Sequence, residues 1–132
     1  YWKTSNRYLF SGGSVNMRDA AVYAKEENWS KAVELWKQTY ETKKGKQKMY
    51  AAYNTALGYE MQDSIDTALE WALKAQTLAR EKSKTDKKET GEIHDGTISY
   101  YIFISMYVDE LEKRKEGMAR LNMQMNRFDD DF

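Results

Sequence analysis

The side chains that could take part in catalysis are few and do not form a recognised set. His94 is the single histidine of the 132-residue chain, and Asp95 follows it directly. Side chains of adjacent residues point apart on a helix, so this pair does not make a base and its orienting carboxylate. The segment SGGSVN, residues 11–16, lacks the lysine and the spacing of a phosphate-binding loop. We therefore expect no catalytic residue, no cofactor and no enzymatic activity.

Sites for metal ions and nucleic acids are also poorly supported. Cysteine is absent, and the acidic run at 129–131 could attract a divalent ion only loosely and is typical of a solvated tail, so we expect no metal site. The basic segments KKGKQK at 43–48 and EKSKTDKKE at 81–89 could contact phosphates, but the second is interrupted by acidic residues. The chain carries 21 basic and 21 acidic residues, so it has no net charge to attract an anionic polymer. We expect no nucleic-acid partner.

The composition predicts a helical protein. The chain contains no proline and seven glycines, and charged residues make up 32% of it. Few helix breakers and many good helix formers favour helices. No segment of about 18 consecutive apolar residues is present, so we expect no membrane span within this chain. Because the chain starts at Tyr1, with neither an initiator methionine nor a signal sequence, we expect it to be part of a longer protein.

Apolar periodicity divides the chain into helices. The pattern predicts an all-α fold, with two antiparallel helix pairs in residues 14–82 and a long C-terminal capping helix. The stretch 98–108 is rich in β-branched and aromatic residues and could form a strand, but no second strand is available to pair with it. The predicted segments are an extended lead-in or remnant of an upstream domain at 1–13, helices at about 15–27, 29–42, 48–61 and 64–82, a loop at 83–91, a helix at 92–126 and an acidic tail at 127–132.

An internal repeat relates the two predicted helix pairs. A shift of 36 residues places Ala20 on Ala56 and Tyr23 on Tyr59. Two helices cross closely where small residues lie, and the neighbouring tyrosine fills the space beside the crossing. The two tryptophans of NWSKAVELW, residues 28–36, share one helix face, and we assign them to the core rather than to a binding surface. The predicted repeat core consists of Ala20, Tyr23, Trp29, Ala32, Trp36, Ala56, Tyr59 and Ala68.

These positions resemble the tetratricopeptide repeat (TPR), a helix–turn–helix unit with a small residue, a tyrosine, an alanine and a large aromatic residue at set positions. Ala72 departs from the pattern where a second large aromatic would stand, and no proline ends either unit. The resemblance implies a short α-solenoid that binds a protein or peptide in a groove lined by the first helix of each pair. The groove positions that it implies are Met17, Arg18, Ala21, Tyr50, Tyr53, Asn54, Leu57 and Glu60.

The same resemblance disfavours one class of ligand. Related repeats that hold acidic C-terminal tails need a lysine and an asparagine on the first helix, where this chain has Met17 and Ala21. Asn54 alone agrees with that clamp, so an acidic C-terminal tail is not the expected ligand. The long last helix could instead occupy the groove, and the sequence leaves both arrangements open.

The whole chain, with its RYLFSGG start at 7–13, is more loosely similar to an uncharacterised group of TPR-like envelope lipoproteins of gut bacteria. This similarity implies a periplasm-facing envelope location and a place in the C-terminal part of a larger protein. We expect a non-enzymatic protein–protein interaction or scaffolding module. The alternative is a structural domain that forms a homodimer through the amphipathic last helix and has no ligand groove.

Overall fold

The computed structural model describes the backbone of residues 9–90 and 95–130 and the side chains of residues 9–82 and 100–127. The predictions of an all-α fold and of a long C-terminal helix are confirmed, and the described backbone contains no strand. His94 and residues 1–8 of the predicted lead-in lie outside the described residues. The helices are α1 (Val15–Lys25), α2 (Trp29–Thr42), α3 (Lys46–Met61), α4 (Ile65–Thr90) and α5 (Asp95–Asp130).

The first three helices pack antiparallel in sequence order. Asn16, at the start of α1, donates a hydrogen bond from its side chain to Gln38, near the end of α2, at 3.3 Å. Ser30, at the start of α2, lies 3.5 Å from Gln62, which follows the end of α3. Short connections between helices require this up-and-down arrangement.

The long helix α5 continues the same arrangement against α4. Near the start of α5, Tyr101 accepts a hydrogen bond from Arg80 in the second half of α4, at 3.3 Å. In the second half of α5, Lys115 forms an ion pair with Asp66, in the first turn of α4, at 3.1 Å. These contacts place α5 antiparallel to α4 from Tyr101 to Lys115.

The turns inside the two helix pairs have the same hydrogen bonds at a spacing of 36 residues. The N–H of Asn28 donates to the carbonyl of Tyr23 at 2.8 Å, and the N–H of Ser64 donates to the carbonyl of Tyr59 at 2.9 Å. The residue before each donor has a positive φ, 61° in the first turn and 62° in the second. Residues with a side chain rarely adopt this conformation. Its recurrence at equivalent positions indicates that the two pairs use one turn geometry.

Small residues are buried where the helices pack together. The four repeat alanines and Trp36 have no exposed surface, whereas Trp29 and the two repeat tyrosines are half-buried. A glycine allows α2 and α3 to approach: a Cβ atom on Gly58 would collide with the side chain of Val33 and would lie 3.3 Å from the Trp36 ring. The fully buried alanines are Ala20, Ala32, Ala56 and Ala68.

The fourth helix is longer than the sequence analysis predicts. It continues to Thr90, so residues 83–90 of the predicted loop are helical. Residues 59–90 contain neither glycine nor proline, and the lysines and glutamates of this stretch are good helix formers, so the first strong stop signal is Gly91. Similarly, α5 extends through Asp130 into the predicted acidic tail. Within the described ranges, no helix combines the length and the apolar character that a membrane crossing needs.

Candidate functional site

The central helix of the fold is α3, and all of its residues from 51 to 58 are buried. A helix that is buried on all sides needs partners beyond the two helices adjacent to it in sequence. One of these partners is the short segment that precedes α1. We name residues 9–13 the strap, and we name the surface of α3 that faces it the α3 groove, formed by Gln47, Tyr50, Tyr53 and Asn54.

The side chain of Asn54 binds both main-chain polar groups of one strap residue. The N–H of Phe10 donates to Asn54 Oδ1 at 3.1 Å, and Asn54 Nδ2 donates to the Phe10 carbonyl oxygen at 2.6 Å. Asn54 has no exposed surface. A carboxamide offers one acceptor and two donors, and the N–H and C=O of one residue point to the same side in an extended chain. Asn54 therefore recognises an extended main chain, whatever its side chains are.

The ring of Phe10 lies among aromatic rings from two helices. It stacks on Tyr50 of α3 with ring centroids 4.1 Å apart and planes 17° apart. Its edge contacts are with Tyr53 at 5.3 Å, Tyr100 at 6.0 Å and Phe103 at 6.4 Å. Stacked and edge-to-face pairs at these distances are favourable in addition to the apolar area that they bury. The site around Phe10 is therefore an aromatic pocket.

The end of the strap is fitted to the start of α3. Gly13 has a φ of 107°, a region that favours glycine, and a Cβ atom at this position would collide with the Gln47 side chain. A Cβ atom on Gly12 would meet nothing within 4 Å. The strap therefore needs glycine at position 13 and has free space at position 12.

The first half of α5 closes the groove from the other side. The phenol of Tyr50 donates a hydrogen bond to the Tyr100 hydroxyl at 2.9 Å. The Tyr53 ring lies 5.4 Å from Phe103 and 5.1 Å from Tyr107. Burial, together with the hydrogen bond to Tyr100, raises the pKa of Tyr50 well above its ordinary value. Because later residues of α3 meet later residues of α5, the two helices run parallel here.

A buried carboxylate fastens α5 to the end of α3. Glu60 is 3% exposed and accepts a hydrogen bond from the Tyr107 hydroxyl at 2.8 Å. It also forms an ion pair with Arg114, whose side chain is 43% exposed. Loss of one partner of a buried ion pair leaves an uncompensated charge, which is strongly unfavourable. Glu60 therefore fixes the position of α5 on α3.

The α3 residues that the TPR resemblance places in a groove are enclosed by the chain itself. Tyr50, Tyr53 and Asn54 come together around the strap, and Glu60 binds α5. Leu57 is also buried, at 2% exposure. With only two helix pairs, the free face of α3 would be apolar and open, and the strap and α5 cover it. An open groove along these residues is therefore not present in the described part of the molecule.

The α1 residues predicted for the same groove do not join it. Met17 has no exposed surface and belongs to the core cluster that contains Trp36. Arg18 is exposed and Ala21 is half-buried. Met17 packs in this core because its long, flexible apolar side chain fills space between the helices.

Sequence reasoning missed several residues of the site. The predicted extended lead-in includes Phe10, and the predicted capping helix includes Tyr100, Phe103 and Tyr107, but the sequence names no partner for any of them and gives Gln47 no role. The available signals were an aromatic residue ahead of Gly-Gly and a buried-looking asparagine in the apolar stretch 49–58. Neither signal names its partner, because the Phe10–Asn54 contact spans 44 residues of sequence.

A second apolar surface lies on the far half of α5. We name residues 112–127 the α5 extension. Met118, Leu121 and Met125 are 46%, 54% and 57% exposed. A cavity of about 450 Å³ lies between this extension and the start of α4, lined by residues 63–67 and by Lys115, Met118, Ala119 and Asn122.

Other surfaces offer less for chemistry. A cavity of about 610 Å³ on the outer face of α2 is lined by uncharged and charged side chains of both signs, among them Asn16, Val33, Lys37 and Glu41. Among the described residues, no group of three or more His, Asp and Glu side chains is placed as a metal-ligand set.

Comparison with known proteins assigns the family. The model of a domain of unknown function, DUF6340, matches residues 18–113, which is most of the chain. The chain belongs to this family. The match runs from α1 to the first half of α5 and includes the α3 groove, while the strap and most of the α5 extension lie outside it. No curated protein and no solved structure matches the chain significantly.

Proposed function

We propose that this DUF6340 domain is a non-enzymatic protein–protein interaction module that binds an extended polypeptide segment in the α3 groove. The observation that carries the proposal is the pair of hydrogen bonds between Asn54 and the main chain of Phe10. These bonds recognise a main chain, and the aromatic pocket beside them accepts a side chain. The site already holds a peptide, which is the chain's own strap.

The architecture supports the proposal that the two helix pairs are TPR-like units. Their turns share hydrogen bonds and a positive φ at a spacing of 36 residues. Repeats of this kind place the first helix of each unit on a common surface, and α3 is such a helix. On the looser similarity to envelope lipoproteins of gut bacteria, we place the module in the C-terminal part of a larger, periplasm-facing protein.

The proposal is tested by selection from a displayed library of random peptides. The target is the full chain with Phe10→Ala, which weakens the strap and leaves α3 intact. Peptides are expected to be enriched on this target and not on the Phe10→Ala/Asn54→Ala double variant, because the main-chain bonds are lost. Phe10→Ala/Asn122→Ala, which removes an exposed amide of the α5 extension, is the matched control and should select as well as Phe10→Ala. Equal enrichment with and without Asn54, or none on any target, would contradict the proposal.

A second function, homodimerisation, is favoured by the α5 extension. Met118 and Met125 continue, at a spacing of seven, the buried row of Ile104 and Leu111. Spacings of three, four and seven are those of a helix–helix seam. Arg114 and Lys115, which precede Met118 on this face, are paired with Glu60 and Asp66. Beyond Met118 the neighbours of the row are uncharged, so two copies would meet there without like-charge repulsion; these neighbours are Ala119, Asn122, Gln124 and Asn126.

Light scattering over a range of concentrations tests this second function. The full chain is expected to form a dimer, and truncation after Lys115 or Leu121→Glu is expected to give a monomer. Met123→Glu is the matched control, because Met123 is 63% exposed on the same extension but lies off the row. A full chain that is monomeric at every concentration would exclude dimerisation.

A further inference from the structure

We infer that the α3 groove is selective for an extended segment with an aromatic residue followed, three positions later, by glycine, and that the strap is a resident occupant which a partner segment of this kind displaces. This inference rests on the proposed function, since it names the ligand class of the same site. It is argued from how the Phe10 side chain and the Gly13 backbone fit the groove, because the main-chain hydrogen bonds of Asn54 do not select a side chain.

The aromatic position is set by the shape of the pocket around Phe10. One face of the ring lies on Tyr50 at 4.1 Å, and edge contacts come from both α3 and α5. A flat ring fills a slot between aromatic rings, and a small or branched side chain leaves part of it empty. The pocket walls are held in place by contacts of their own, including the hydrogen bond between Tyr50 and Tyr100. The pocket therefore selects phenylalanine or tyrosine.

The glycine position is set by backbone conformation. Gly13 has a φ of 107°, where any residue with a Cβ atom is strained, and a Cβ atom there would also require the end of the Gln47 side chain to move. This residue lies three positions after the aromatic anchor. Gly12 is free of contacts at its Cβ position and is therefore outside the selected pattern. A substitution at Gly12 is therefore a control for a substitution at Gly13.

Displacement of the strap is consistent with its shallow attachment. Ser11, Gly12 and Gly13 are exposed, and Leu9 and Phe10 are half-buried. Asn54, by contrast, is fully buried, and an empty groove would leave its amide without the partners that the strap provides. A tethered segment competes at an effective concentration on the order of millimolar. A partner segment therefore binds well only when it outcompetes the strap or when the strap is weakened.

Fluorescence anisotropy with a synthetic peptide tests the inference. The probe is LFSGGS, the sequence of residues 9–14, capped at its N-terminus and labelled at its C-terminus. It is expected to bind the full chain with Phe10→Ala at least about tenfold more tightly than the wild type, because the strap no longer competes. Binding is expected to be lost in the Phe10→Ala/Asn54→Ala variant. Circular dichroism of each variant establishes that the helices are intact.

Substitutions in the probe test the ligand pattern itself. Phe10→Ala and Gly13→Val in the peptide are each expected to weaken binding at least about tenfold, while Gly12→Ala is expected to leave it unchanged. A second protein variant, Gly13→Val with Phe10 retained, should also bind the unmodified peptide more tightly than the wild type does, whereas Gly12→Ala should not.

The outcomes separate this inference from the proposed function. If library selection on Phe10→Ala yields Asn54-dependent peptides that lack the aromatic–glycine pattern, the function stands and the inference is wrong. Failure of the probe to bind Phe10→Ala, or equal binding of the Gly13→Val and Gly12→Ala peptides, also overturns the inference. Asn54-dependent binding with the expected order of peptides supports both.

Discussion

Two surfaces of this molecule carry rows of large apolar side chains, and they differ in what covers them. In the α3 groove, Tyr53 is 1% exposed because the strap and α5 pack on it. On the α5 extension, Met118 and Met125 are 46% and 57% exposed, although Ile104 and Leu111 of the same row have no exposed surface. Periodicity identifies the face of a helix that suits packing, but only a neighbouring element buries it.

The boundary between the two halves of α5 is set by the start of α4. Lys115 pairs with Asp66 in the first turn of α4, so α5 residues beyond this point run past the start of that helix. Met118 and Met125 therefore lack the neighbouring helix that buries Ile104 and Leu111, although all four side chains are large and apolar. The predictions below test whether the cover by neighbouring elements, rather than residue type, decides how much each side chain contributes to the free energy of unfolding.

The largest effect is expected in the core between α2 and α3. Trp36 is fully buried and would lie 3.3 Å from a Cβ atom on Gly58 of α3, so its removal empties the space between α2 and α3. We expect Trp36→Ala to lower the free energy of unfolding by about 3–5 kcal/mol. Urea denaturation followed by circular dichroism measures it. A change of under about 0.5 kcal/mol would contradict the assignment of Trp36 to the core.

The next effect compares two residues of one row, seven positions apart. Leu111→Ala is expected to cost about 2–5 kcal/mol, because the buried side chain leaves a cavity. Met118→Ala is expected to change the monomer's stability by no more than about 0.5 kcal/mol, because its side chain is already half in water. Denaturation at low protein concentration measures both. Similar costs at the two positions would mean that the α5 extension is covered in solution.

The buried ion pair of Glu60 is expected to contribute more to the free energy of unfolding than the exposed ion pair of Glu116. Glu60→Ala removes the buried acceptor of Tyr107 and Arg114, and we expect a loss of about 1–3 kcal/mol. Glu116→Ala removes an exposed pair with Arg120 at 3.9 Å, and we expect a loss of no more than about 0.5 kcal/mol. Equal losses of stability for the two variants in thermal or urea unfolding would show that Glu60 is exposed to solvent.

The smallest expected effect is a pH dependence within the groove. The pKa of Tyr50 is raised by burial and by its hydrogen bond to Tyr100. Above the ordinary tyrosine pKa of about 10, Tyr50 loses its proton in the unfolded chain and keeps it in the folded one, so stability falls as pH rises. Between about pH 9 and about pH 11, the urea midpoint should therefore fall more in the wild type than in Tyr50→Phe. Identical decreases would show that the phenol is solvated.

The sequence was informative wherever structure is local. The bounds of α2, the spacing of the repeat and the buried alanines follow from helix periodicity and from small residues at crossings. The helical state of 98–108, rich in strand-forming residues, follows from the continued apolar spacing. The α4 helix extends beyond its predicted end at 82, because charge alone does not stop a helix and none of residues 83–90 breaks one.

The candidate site was less accessible from sequence because its contacts are long-range. The TPR resemblance implies that Tyr50, Tyr53 and Asn54 line one groove. The occupant of that face, Phe10, lies 44 residues from Asn54 and belongs to a segment without periodicity. The apolar spacing of α5 is the same in both halves, so it predicts a capping helix but does not show where the cover by α4 ends.

Amide hydrogen exchange at Phe10, followed by NMR, tests the central claim most directly. In the wild type the Phe10 N–H donates to a buried acceptor, so it is expected to exchange far more slowly than an unstructured amide. In Asn54→Ala this protection is expected to be lost, while the amides of α2 and α4 keep theirs. Rapid exchange of the Phe10 amide in the wild type, or protection that survives Asn54→Ala, would contradict the claim that Asn54 holds an extended chain in the α3 groove.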